Sequence, residues 1–224
     1  MPFILGLDLG QQNDPTALAV LEQTPTHLDV RHLERWQLQT RYTDIVRDVA
    51  RMCSRPELKD ATLAVDWTGV GRAVVDQLWE ADLPVNLVPI TITAGHRAAQ
   101  AEDGVGFRVP KKDLVSAVQV ALGYRRLRWA KTLPLAELLG RELSNFRVKV
   151  TAAANETFSA WREGDHDDLV LAVAVACWAA ENTFAGAWEP GASPEGRSET
   201  DKAPGGVWLD QRPGNDPYAA PEED

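Results

Sequence analysis

The 224-residue chain carries a formal net charge of −10 and 44% hydrophobic residues. That suits one ordinary soluble domain plus an appendage and argues against a general nucleic-acid binder. The longest apolar run, Leu169 to Ala180, is too short to span a bilayer, and the MPFILGLD start lacks the basic region of a secretory signal. Cys53 and Cys177 have neither metal-ligand nor disulfide-framework spacing. Both fall in apolar helical contexts and are expected to be buried, reduced thiols, which suits a reducing cytosol. The charge is unevenly spread: residues 187–224 hold nine acids and three bases, which leaves the rest of the chain at a net of −4. A cation bound among those remaining acids would offset them further, so overall charge does not exclude DNA.

In chain order, Phe3–Leu9 and Thr16–Glu22 read as strands around the polar loop Gln11-Gln12-Asn13-Asp14. His27–Gln37 alternates Leu28, Val30 and Leu33 with polar residues and completes an expected antiparallel meander. Tyr42–Cys53 has the apolar spacing of a helix, with Thr43 as its expected N-cap. Ala61–Asp66 predicts a strand, Val70–Ala81 a helix and Val85–Pro89 a fifth strand. The β-β-β-α-β-α-β pattern implies an α/β fold with a five-stranded mixed sheet flanked by helices. Ile90–Gly106 reads as a loop or short hairpin, and Pro110 and Lys111 lead into a helix that ends near Arg126. Leu135–Phe146 predicts an amphipathic helix, Phe146–Val150 with Thr157–Trp161 a final hairpin, and Asp167–Phe184 the last helix. The domain is expected to close at about residue 186. Residues 187–224, rich in Pro, Gly and acids, are expected to form a disordered tail.

Three junctions set an acid against an apolar run: Asp8 after FILGL, Asp66 after ATLAV, and Asp167 with Asp168 before LVLAVAVACW. A carboxylate at such a place is costly unless hydrogen-bonded, paired or metal-bound. Taken singly, turn chemistry explains Asp8, helix capping explains Asp66, and N-capping explains Asp167 or Asp168. Taken together, Asp8, Asp66 and Asp168 suggest one cluster, which as bare carboxylates would repel itself. A hard divalent cation, Mg²⁺ or Mn²⁺, resolves the repulsion. Two such ions roughly 3.5–4 Å apart can activate water and stabilise a leaving oxygen in phosphodiester cleavage. Adjacent helical residues point about 100° apart, so Asp168, just before the apolar face, is the expected ligand and Asp167 an outer one. Lys111 and Lys112 are candidate DNA-phosphate contacts, although a solvated helix start is the commoner role of such a pair. His166, beside the acid pair, is a candidate auxiliary, although a surface histidine is the commoner case. Trp67, between Asp66 and Thr68, is the one tryptophan expected to line a groove.

The segments GLDLGQQNDPTALAVLE, VDWTGVGRAVVDQL, VPKKDLVSAVQVAL and GDHDDLVLAVAVACWA resemble, in that order, the C-terminal nuclease domain of the large terminase subunit of tailed bacteriophages. The resemblance covers about residues 3–184. It implies an RNase H-like fold that cuts double-stranded DNA with divalent metal. Asp8, Asp66 and Asp168 are implied as core metal ligands, with Asp14 and Asp167 as auxiliary acids. It also implies DNA packaging, a bacterial host cytoplasm, and a phage or prophage origin. A full large terminase also carries an ATPase motor, but the chain has no GxxxxGK[ST] phosphate loop. It is not a packaging motor by itself, and a separate ATPase or other packaging protein is an expected partner. With Met1 at its start, a stand-alone gene product is the expectation, and its process is then open to recombination or repair. No membrane partner is expected.

Other functions compete. An Asp-x-Gly start also suits actin-like ATPases, but those need a duplicated second half and a longer chain. A Holliday-junction resolvase uses the same fold with clustered acids. A non-catalytic DNA-binding or assembly protein has no need of acids at every corner.

Overall fold

The computed structural model describes residues 2–10, 14–69, 71–101, 104–145 and 167–183. The expected hairpin at Phe146–Val150 and Thr157–Trp161, His166 and the tail from residue 187 lie outside the described residues. The strands are β1 (Phe3–Asp8), β2 (Ala17–Gln23), β3 (Leu28–Arg35), β4 (Thr62–Asp66), β5 (Asn86–Thr93), β6 (Ala99–Gln100), β7 (Phe107–Pro110) and β8 (Leu127–Trp129). The helices are α1 (Tyr42–Cys53), α2 (Gly71–Glu80), α3 (Lys111–Gly123), α4 (Ala136–Asn145) and α5 (Asp168–Asn182).

The strands form one mixed sheet in the order β6-β7-β5-β4-β1-β2-β3-β8. β1, β2 and β3 pair antiparallel, as the meander predicts, while β4 pairs parallel to β1 and β5 parallel to β4. The sheet has eight strands among the described residues, not five. The three extra strands, β6, β7 and β8, hold two, four and three residues, too few for a period-2 pattern to show. β5 also runs on through Thr93. Arg41 stands at the N-cap of α1 in place of Thr43 and caps through no side chain.

Strand pleating sorts the apolar residues into two cores. Leu5 and Leu7 of β1 join Leu63 and Val65 of β4 against α1 and α2, where Ile45, Val49, Val74 and Leu78 supply the helical faces. Ile4, Ala17, Ala19, Leu21 and Ala64 face the other way, toward α5. Every residue of α5 from Asp168 to Ala180 is buried. A helix apolar all round needs cover on all sides, and here the sheet lies on one side while α3 and α4 pack on the helix as well. β1 and α5 meet at small residues. A Cβ at Gly6 would overlap the Ala172 carbonyl oxygen and come within 2.9 Å of the Ala176 methyl carbon.

β3 keeps its apolar residues on the α5 side through an irregularity. Val30 pairs with Leu21 and His32 with Val20, leaving Arg31 unmatched in the ladder. This one-residue bulge returns Leu33 to the face that Val30 occupies. Cys53 and Cys177 are both buried and free of disulfides. Burial pushes the Cys53 thiol up to about 12 and raises that of Cys177 as well, so both are inert at neutral pH. Among the described residues no helix is long and apolar enough to cross a membrane.

Candidate metal centre

The site begins as a row across the sheet. Leu7 pairs with Val65, so one residue further along two parallel strands Asp8 and Asp66 stand level, on strands about 4.8 Å apart. Asp8 pairs with Ala17, and Ala17 with Arg35. The row Asp66, Asp8, Ala17, Arg35 thus crosses β4, β1, β2 and β3. It lies on the α5 face, two residues beyond Ala64, Gly6, Ala19 and Leu33.

α5 carries the third acid to that row. Its two ends are fixed by side chains of the meander: Arg35 reaches Asp168 at the first turn, and Gln23 Nε2 donates to the Ala180 carbonyl at the far end. The helix therefore runs antiparallel to β1, and its N-terminus stands over the carboxyl end of that strand. Asp168, Ala172 and Ala176 recur every four residues and share one helix face, the face that meets Gly6. Asp168 thus lies on the sheet-facing side of α5.

Each acid is buried: Asp8 is 5% exposed, Asp66 4% and Asp168 2%. Asp168 Oδ2 accepts from Arg35 Nη2 at 2.7 Å and Nε at 3.2 Å. Asp66 Oδ1 accepts from the Thr68 amide at 2.8 Å, so it does serve the turn that leads to α2. Beyond Asp8 the chain is tied down locally. The Gly10 amide donates to Thr16 Oγ1 at 3.1 Å, and Tyr42 Oη donates to the Gly10 carbonyl at 2.8 Å. Gly10 must be glycine, because a Cβ there would overlap the Asp14 carbonyl oxygen. Asp14 is half-buried on the returning side of that loop.

Sequence reasoning missed two charged residues. Arg35 supplies the counter-charge to Asp168, and the bulge in β3 hides which face it takes. Glu142 of α4 is 6% exposed, and its Oε2 accepts from the amides of Leu169 at 3.0 Å and Val170 at 3.2 Å. It, not the acid pair, caps α5. Asp167 occupies the N-cap position without a side-chain cap hydrogen bond. Burial pushes the Glu142 carboxyl up to about 7 against the Val170 amide, with Asp168 raising it and Arg35 lowering it. A signal for Glu142 was present: it lies four residues after Leu138 and three after Leu139, a charged residue on the apolar stripe of α4.

Lys111 and Lys112 open α3 directly after β7 and are half-buried. β4, β5 and β7 run parallel, and their register sets Phe107 level with Asp66, so the lysines lie at the same carboxyl end of these strands but four and five residues beyond that row. Trp67 goes elsewhere. It packs in the α1–α2 core, edge-on to Trp79 at 6.0 Å between ring centroids, with Arg72 5.4 Å from its ring. It follows Asp66 on a pleated strand and so takes the opposite face, which corrects its expected place in the groove.

Among the described residues no three His, Cys, Asp or Glu side chains converge closely enough to hold an ion. Asp8, Asp66 and Asp168 are all buried toward the same end of the sheet, oxygen donors of the kind a hard divalent cation takes, and the Arg35 guanidinium already pairs with the third of them.

No family model and no curated protein matches the chain. Solved structures do. The large terminase nuclease from thermophilic phage G20c is similar at 23% identity and a TM-score of 0.56, over 78% of this chain and 80% of that one. A nuclease domain of the large terminase subunit of bacterial virus Sf6, solved with manganese and β-thujaplicinol, gives 14% identity and a TM-score of 0.59 over 79% and 88%. The manganese-soaked human cytomegalovirus terminase nuclease domain gives 13% and 0.54 over 82% and 86%. A large terminase from another thermophilic bacteriophage matches over 80% of this chain but only 39% of its own length. The eight-stranded mixed sheet with its enclosed helix is thus the RNase H-like fold of the terminase large-subunit nuclease domains.

Proposed function

We propose that the chain is a divalent-metal-dependent endonuclease that hydrolyses phosphodiester bonds of double-stranded DNA. The observation that carries this reading is the level placement of Asp8 and Asp66 on adjacent parallel strands beneath the helix start that holds Asp168. In this reading Asp8, Asp66 and Asp168 hold Mg²⁺ or Mn²⁺, two ions in all, with Asp14 and Asp167 as outer acids. The bound ions would activate water and stabilise the leaving oxygen. Structures of the same fold solved with manganese or zinc support a divalent ion here.

The chain's own residues do the rest. Burial of the three carboxylates strengthens their hold on a cation, because little water competes. Arg35 neutralises Asp168 while no other cation is present. In this reading Lys111 and Lys112, at the start of α3, would receive backbone phosphates. An ATPase or other packaging protein is the proposed partner, in a phage-infected or lysogenic bacterial cytoplasm.

Incubation with supercoiled plasmid tests the reading. Nicking and linearisation are expected with Mg²⁺ or Mn²⁺ and none with chelator. A protein that binds the plasmid without cutting it under any divalent ion is not a nuclease. Preference for a four-way junction over linear duplex would replace the terminase-like reading with a resolvase.

A further inference from the structure

The first turn of an α-helix leaves its amides without intrahelical partners. In α5 the residue before the helix does not serve them, and the acceptor comes from α4, 27 residues earlier in the chain. This is a cap made through tertiary structure, and it ties the rotation of α5 about its axis to the position of α4. The two capped amides, Leu169 and Val170, directly follow Asp168. The opening turn is therefore held twice: at the backbone by Glu142 and at the Asp168 side chain by Arg35.

The cap needs an acceptor oxygen at this place, and a neutral one serves an N-terminus well; the other oxygen, Oε1, is buried without a hydrogen-bond partner. The turn that this cap fixes is the one from which Asp168 meets Arg35 Nη2 and Nε. We propose that Glu142 is a positioning residue: by capping α5 through the Leu169 and Val170 amides it sets Asp168 against Arg35, on the side of Asp8 and Asp66. Its catalytic meaning rests on the nuclease reading of Asp168, while its structural content does not.

The test uses the full chain in metal-free buffer. A double-mutant cycle of Arg35→Ala and Asp168→Asn is measured by urea unfolding in three backgrounds: native, Glu142→Gln and Glu142→Ala. The native background is expected to show at least fivefold non-additivity in the unfolding constant. Glu142→Gln retains an acceptor oxygen and should keep that coupling, whereas Glu142→Ala should reduce it below twofold. A merely stabilising cap would make Glu142→Ala less stable but leave the coupling intact, and that result overturns the proposal. Where Glu142→Ala does not fold, Glu142→Asp, one methylene shorter, takes its place with the same expected loss of coupling.

A second arm measures the Mn²⁺ concentration for half-maximal plasmid cleavage. It is expected to rise at least tenfold in Glu142→Ala and to stay within threefold in Glu142→Gln. If coupling collapses but the native chain never cleaves, the nuclease reading falls and the positioning role stands. If the native chain cleaves and coupling survives in Glu142→Ala, the positioning role falls and the nuclease reading stands.

Discussion

Asp8 ends β1 buried beside Asp66, where a negative charge has value only if something positive meets it. Asp8→Asn keeps the shape and removes the charge that binds a hard cation. It should abolish metal-dependent cleavage while leaving the far-ultraviolet circular dichroism unchanged, and unaltered cleavage would remove Asp8 from the site. Asp168→Asn should lose nearly all cleavage. Asp167→Asn should lose less and recover partly at higher Mn²⁺, with the reverse ranking reassigning the pair. Because Glu142 caps α5, neither loss is explained by a missing cap. Glu142 itself titrates. Its carboxyl is pushed from 4.5 to about 7, mainly by burial and also by Asp168, while the amides of Val170 and Leu169 and the charge of Arg35 oppose the rise. The folded state thus binds this proton more tightly than the unfolded state. The stability it contributes is full below about pH 4.5 and is lost as pH rises through about 7. In metal-free buffer the native chain should lose on the order of 1–3 kcal/mol more than Glu142→Gln between pH 4.5 and 8. Equal pH slopes in urea unfolding would show that Glu142 does not titrate in this range. The acids were legible in the sequence because each stands where an apolar run meets a charge. Arg35 was not, because its partner lies 133 residues away, and the charge of Glu142 on the apolar stripe of α4 gave no sign of its partner 27 residues on.

Gly6 shows how an element is seated. Its missing side chain admits the backbone of α5 at Ala172, and a backbone carbonyl cannot swing aside as a side chain does. Gly6→Ala should cost about 1–3 kcal/mol by overpacking and lower cleavage by lifting the helix that carries Asp168. Native-like stability in urea would contradict the close packing. The same elements mark what sequence pattern can reach. β1, β4, α1 and α5 were legible because each is long enough for its period and bounded by a charge or glycine. β7 and β8 were not, since strands of four and three residues owe their existence to neighbours already in place. β8 pairs with β3, and Arg128 of β8 reaches Asp29 of β3 with Nε to Oδ1 at 2.8 Å and Nη2 to Oδ2 at 3.0 Å. The β3 bulge was equally hidden, yet it decides a charge. Had the ladder run on through Arg31, Glu34 rather than Arg35 would stand opposite Ala17.

The described residues stack in order: α1 and α2, the sheet, α5, and then α3 and α4 against α5. A ligand that binds only the folded arrangement stabilises all of it. Mn²⁺ at about one hundred times its dissociation constant should add about 2.7 kcal/mol, a rise in Tm of roughly 5–10 °C for a chain of this size. Differential scanning fluorimetry should show that rise in the native chain and its absence in Asp8→Asn. A rise of equal size in both would place the ion elsewhere. The inner layer is also the last of the described elements to be synthesised. Asp8 precedes Asp168 by 160 residues, a delay on the order of ten seconds at the ribosome. From Asp66 onward, the last 102 residues of that interval, the growing chain holds two of its three acids and lacks α5. Under the nuclease reading it is harmless to DNA until α5 docks, so that completing the core and arming the site are a single event.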